Sequence, residues 1–194
     1  GLFIFCEQVS SVLQQDFAPF LVHLLPLVFQ ALQADLGIHY QESNKSESSS
    51  SFEQASGNAK VSMEIRGTGG VEISANIYNF QIRFQALKLV SALALNHCLT
   101  THLTELLEVV LANASDRLCT AMLNCEAVDA CCELFLLLCK QPQPSQDVNK
   151  AFVELGTQFL SGLSFNPTSV TSDELDRRSA FANGFERLCR ICFL

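Results

Sequence analysis

Asp147-Val148-Asn149-Lys150-Ala151-Phe152-Val153-Glu154-Leu155-Gly156-Thr157-Gln158-Phe159-Leu160-Ser161-Gly162-Leu163 is the stretch that decides the fold. Val148, Phe152, Leu155, Phe159 and Leu163 stand at i, i+4, i+7, i+11 and i+15. A helix turns once in about 3.6 residues, so this spacing lays the apolar side chains along one stripe. Such a stripe leaves water only by packing against another helix.

Moving outward, Asn166-Pro167 ends this run. Thr171 and Glu174 form a capping box for a last helix, which carries Phe181, Phe185, Leu188 and Cys192 at the same spacing. On the other side, Gln141-Pro142-Gln143-Pro144 closes an apolar stretch from Leu118 to Cys139. That stretch is either one long helix or two pieces broken near Asn124. Thr101 is a suitable N-cap for a helix from His102 to about Ala112, and Asn113-Ala114-Ser115-Asp116 reads as a tight turn. From Asn79 to Asn96 the pattern puts Gln81, Gln85 and Lys88 opposite Phe80, Phe84, Leu87 and Val90. Leu2 to Gln15 forms the first helix, broken at Asp16. A second runs from about Phe17 to Ala34, with Pro19 near its first turn, Pro26 kinking it and Gly37 at its end.

Residues 37–77 differ in character. Ser43-Asn44-Lys45-Ser46-Glu47-Ser48-Ser49-Ser50-Ser51 buries no apolar area, and mobility is expected there. Val61, Met63 and Ile65, then Val71, Ile73, Ala75 and Ile77, alternate with polar residues around Gly67-Thr68-Gly69-Gly70, a β-hairpin pattern. Ser50 followed by Glu53 suits an acid-directed kinase.

The order is therefore about seven helices in antiparallel pairs, at the period of roughly 35 to 45 residues expected of HEAT or armadillo arrays. The expected fold is an all-α, HEAT/armadillo-like α-solenoid with one loop and β-hairpin insertion. Its parts are a helix pair at 1–36, the Ser-rich insertion at 37–77 and further helices at 78–194. A single globular bundle satisfies the same periodicity. The strictly sequential order, and chain ends that fall inside apolar patterns, favour an internal slice of a longer solenoid.

Composition narrows the function. Hydrophobic residues make up 48% and charged residues 16%, too apolar for a disordered chain. Phe supplies 15 aromatic residues and Trp none, which suits helix-on-helix packing. A net charge of -8 with 12 Lys and Arg argues against direct binding to nucleic acid or to an anionic membrane, and permits a basic protein partner. Nine cysteines, an odd number placed mostly in apolar patterns, fit a reducing compartment. The greasiest run, Phe17 to Leu32, is interrupted by Pro19, His23, Pro26 and Gln30 and is short for a bilayer. No membrane insertion is expected.

Catalytic and metal motifs are weak. Gly67-Thr68-Gly69-Gly70 lacks the Lys and Ser/Thr of a phosphate-binding loop. Cys189-Arg190-Ile191-Cys192 has CxxC spacing without a second pair, so both cysteines read as helix packing residues, and Cys131-Cys132 does too. His23, His39, His97 and His102 are scattered; His97 and His102 flank a turn and should face solvent, and their nearness to Cys98 in sequence does not make a catalytic pair. No enzyme, cofactor or metal site is expected.

Asp16-Phe17-Ala18-Pro19-Phe20-Leu21-Val22-His23-Leu24-Leu25-Pro26-Leu27-Val28 resembles the second helix of a HEAT repeat in the importin β (karyopherin β) family. There, this helix often has one proline near its start and another one to two turns on, and a long polar insertion can precede the next repeat. Asn113 to Leu118 resembles the Asp-containing turn that starts a repeat. The resemblance covers residues 1–36 and 79–120. It implies a carrier of protein cargo through nuclear pores, cytoplasmic and nuclear, that binds the GTPase Ran and Phe-Gly nucleoporins. Proline-containing HEAT helices also occur in scaffold and adaptor subunits of other intracellular assemblies, the alternative reading. The second helix of each pair lines the concave side of such arrays. There Glu105 with Glu108, and Glu154 with Gln158, form a candidate acidic strip for a basic partner.

Overall fold

The computed structural model describes residues 1–36, 39–42, 63–64, 71–74, 77–116, 120–141, 146–163 and 172–193. Helices dominate: α1 (Leu2–Leu13), α2 (Leu21–Leu32), α3 (Ile77–Leu95), α4 (Leu103–Ser115), α5 (Ala121–Cys139), α6 (Gln146–Gly162) and α7 (Ser172–Cys192). A 3-10 helix, Gln14–Phe20, joins α1 to α2.

Several boundaries differ from expectation. α1 stops at Leu13, because Gln14 takes a left-handed φ of 48°. The Gln14 carbonyl accepts the Cys98 thiol at 3.0 Å, which ties this turn to the end of α3. Pro19 lies in the 3-10 segment, so α2 starts only at Leu21. Pro26 lacks the N–H that would reach the carbonyl of Val22, yet α2 continues to Leu32. Thr101 does not cap α4. His102 is its N-cap, with φ 60° and no side-chain cap bond, and its ring turns to Glu105 instead. Asn113, Ala114 and Ser115 are the last turn of α4 rather than a connecting turn. α5 is one helix through Asn124, capped by Thr120, whose hydroxyl accepts from the Leu123 amide. The capping-box residue Thr171 lies outside the described residues.

Two helix layers interleave. α1, α3, α5 and α7 pack each against the next, and so do α2, α4 and α6. The layers meet mainly through α2 with α3, α4 with α5 and α6 with α7. α3 is sandwiched between α1, α2 and α5, and Ala86, Leu87, Leu89, Val90, Leu93 and Ala94 are all buried. The apolar second half of α3 fills this position, while Gln81 is exposed and Gln85 and Lys88 stay partly exposed. The deciding stripe works as expected: Leu155 and Phe159 are fully buried, and Val148, Phe152 and Leu163 pack at the edge of the core. In α7, Phe181 and Leu188 are buried and Phe185 half-buried, but Cys192, in the last turn, is exposed rather than packed.

Polar side chains stitch the helix ends. Arg83 of α3 is buried; its guanidinium donates to the Ala34 carbonyl and lies 3.7 Å from Asp116. Asn79 donates to the Asp35 carbonyl at 2.6 Å. Asn113 donates to Leu32 O at 3.2 Å, and Asn124 to Asn113 O at 3.0 Å. These donors meet the carbonyls that helix C-termini leave without partners.

Three short strands lie between α2 and α3. β1 (His39–Glu42) pairs antiparallel with β3 (Val71–Ser74), His39 opposite Ser74 and Glu42 opposite Val71. β2 (Met63–Glu64) pairs with the other edge of β3, Met63 opposite Ile73. β1 has no counterpart in the sequence reading. It returns the end of this segment to its start, so α2 and α3 remain neighbours. Ile77 begins α3 and is not a strand residue. The Ser-rich stretch 43–51, the Gly67–Gly70 turn and the Ser50/Glu53 pattern lie outside the described residues.

By length and composition, Leu2–Leu32 is long and apolar enough to cross a membrane, whereas the Phe17–Leu32 run by itself is short for one. In the structure Leu2–Leu32 is two helices with a 3-10 segment between them. Leu21, Leu24, Leu25, Val28, Ala31 and Leu32 are buried in the core.

Candidate interaction surfaces

The four candidate partner-binding residues all sit in the α2–α4–α6 layer and all are exposed. Glu105 and Glu108 share one face of α4 because residues three apart are neighbours on a helix. Glu154 and Gln158 do the same on α6, which packs against α4. Lys150 bridges the two helices, with its Nζ 3.8 Å from Glu108 Oε1 and 3.7 Å from Glu154 Oε1. Glu105 instead pairs with His102 at 3.0 Å. Gln158 Oε1 accepts the Ser115 hydroxyl at 3.3 Å. A depression of about 170 Å³ lies between the helices, with Leu107 and Leu155 at its base and Glu108, Asp147, Lys150 and Glu154 around it. The structure thus brings Glu108 and Glu154 together around one lysine and leaves Glu105 and Gln158 toward its margins. Exposed pairs of this kind contribute about 0–1 kcal/mol, so a partner's cation can exchange for Lys150 at little cost.

A second surface was not announced by the sequence. A hollow of about 1000 Å³ lies among α1, α2 and α3, walled by Leu2, Ile4, Leu27, Tyr78, Phe80 and Phe84. A second, of about 580 Å³, lies among α3, α5 and α7 and is bordered by Glu126, Asp129, Asp173 and Asp176. Asp173 Oδ1 accepts the Ala121 amide at 3.1 Å, so the first turn of α7 caps the start of α5. Arg187 holds Asp129 at 2.7 Å and also reaches Glu133. Burial first, then Asp129 and Glu7, push the Glu126 carboxyl above the ordinary glutamate value, while Lys88 opposes the shift. Glu126, Asp129 and Glu133 at i, i+3 and i+7 are a sequence signal for an acidic helix face. Its meeting with Asp173 and Asp176 is a tertiary fact.

The eight described cysteines are free. Cys131 and Cys132 are fully buried, as the packing reading holds, whereas Cys189 is half-buried and Cys192 exposed. Cys98 is buried, and burial raises its thiol pKa, so it is held as a thiol bonded to Gln14 O. His97 and His102 are exposed and both left-handed. Among the described residues, no group of three His, Cys, Asp or Glu side chains is placed to hold a metal ion.

No protein-family model matches the sequence, and no curated protein matches it.

Proposed function

We propose that this chain is a protein-interaction segment of a HEAT-type α-solenoid, with the three-stranded sheet and its hairpin as an insertion between two helices of the stack. The observation that carries the reading is the contact pattern: α1–α3–α5–α7 form one layer and α2–α4–α6 the other, each helix leaning on the one two positions away. Stacked repeats contact their neighbours in this manner, and a closed bundle joins its first and last helices. The chain binds rather than catalyses. Its partner surface is the α4–α6 face, where Glu105, Glu108, Glu154 and Gln158 meet a basic protein.

The parent protein is an importin β-type transport receptor working between cytoplasm and nucleus. It carries protein cargo through pores under the control of Ran, and it inserts in no membrane. Support comes from the prolines of the 3-10 segment and α2, the polar insertion and the net charge of -8. A pull-down with GTP-loaded Ran and with Phe-Gly pore repeats tests the transport reading. Binding to both supports it. Binding to neither would leave a HEAT scaffold or adaptor of another assembly.

A further inference from the structure

Phe84 and Met122 border both hollows, so the two adjoin along a shared wall. The chemistry changes along this paired channel. Toward α1 and α2 its walls include Leu2, Ile4, Leu27 and Tyr78, all large apolar side chains left exposed. Met122, at 51% exposure, stands at the junction. Exposed apolar side chains clustered in one hollow mark a surface that gains by being covered. Toward α7 the walls are carboxylates. Arg187 offsets Asp129 and Arg177 offsets Asp173, but Glu126 and Asp176 form no ion pair among the described residues.

We propose that this channel docks a segment of a protein partner with bulky apolar side chains at one end and a Lys/Arg cluster at the other. The apolar walls supply the area that can be covered, and charge complementarity selects the occupant. A nucleic acid or an acidic peptide meets like charge at Glu126 and Asp176, and a wholly polar basic peptide gains nothing at Leu27 and Tyr78. No residue that borders these two hollows borders the depression at Glu108 and Glu154, so the inference stands apart from the reading of that face.

The test is selection of random peptides displayed on phage against the immobilised chain, followed by fluorescence anisotropy with the enriched peptides. The selected sequences should combine bulky apolar residues with clustered Lys or Arg. Their affinity should fall about tenfold or more, roughly the effect of losing one buried anchor, in Met122→Asp and in the double variant Glu126→Gln/Asp176→Lys. Asp16→Lys, an exposed position outside the hollows and the α4–α6 face, should leave it unchanged. Thermal melts confirm that each variant folds; should Met122→Asp not fold, Tyr78→Asp at the apolar end supplies the same readout. No enrichment, enrichment of acidic or uncharged peptides, or binding that only Glu105→Lys/Glu108→Lys weakens would overturn the proposal.

Discussion

The Asn124 side-chain amide donates to the main-chain oxygen of Asn113 at 3.0 Å, and both residues are buried. The same NH₂ group lies 3.0 Å from Ala114 O and 3.1 Å from Asp116 O, so its two hydrogens serve three carbonyls at the end of α4. Asn113 reaches on to Leu32 O in α2. Two asparagines thus join three helices. Asn124→Ala should destabilise the fold by about 2–3 kcal/mol, the cost of buried carbonyls left without a donor. Asn124→Asp should be worse at neutral pH, since a carboxylate faces those oxygens and cannot donate. Urea unfolding of both variants checks the order; Asp tolerated better than Ala would contradict it.

Gly184 sits where α5, α6 and α7 meet. A Cβ there would stand 2.5 Å from Val128 Cγ1 and 2.9 Å from Phe159 Cε2. Alanine is the better helix former by about 1 kcal/mol, but the overlap costs about 1–3 kcal/mol in a closely packed core. Gly184→Ala should therefore be net destabilising by denaturant titration. A gain in stability would show that the three helices can separate freely.

Glu126 provides a pH test. Its carboxyl is raised chiefly by burial, so the folded chain holds that proton to higher pH than the unfolded chain does. Stability from this group therefore falls as pH rises through the window just above the ordinary glutamate value, and the penalty persists at pH 7. Glu126→Gln should melt at higher temperature than the parent at pH 7, and the difference should vanish below about pH 4, where both states carry the proton. An equal melting temperature at pH 7 would contradict the buried charge.

Thiolates, not thiols, react with iodoacetamide. Burial pushes the Cys132 thiol up to about 12, against a lowering by Arg187, and raises Cys131 well above its ordinary value. Exposed Cys192 should be alkylated first in the folded chain at pH 8, and Cys131 and Cys132 only after denaturation. Peptide mass spectrometry of samples quenched over time reads the order directly.

What could be read from the sequence was what is local. Leu155 and Phe159 announce their burial because helix period and apolarity coincide within one element. Asn124 looked like a breaker by propensity, yet its value lies in carbonyls of another helix, so tertiary bonding overrides the local preference. Arg83 of α3 carries no local sign of its burial. Its actual partners, Ala34 O and Asp116, are 49 and 33 positions away (83 − 34 and 116 − 83) and leave no periodic trace. Thr101 has the side chain of an N-cap, yet the helix begins one residue later, with His102 in the cap position at φ 60° and its ring on Glu105. Glu105, Glu108, Glu154 and Gln158 were legible as exposed helix faces; Lys150 standing between Glu108 and Glu154 was not. The acidic hollow among α3, α5 and α7 needs α5 beside α7, and Asp129 and Arg187 are 58 positions apart in sequence.

The most direct test of the α4–α6 face is the binding of a Lys/Arg-rich peptide without bulky apolar residues to the chain, compared with Glu105→Lys/Glu108→Lys by stopped-flow fluorescence at low and physiological salt. Opposed surface charges steer association and are screened by salt. The account predicts weaker binding in the double variant, mostly through a slower on-rate, with the gap narrowing as salt rises. Equal affinity and equal on-rates at low salt would contradict it and leave those glutamates as solvated surface.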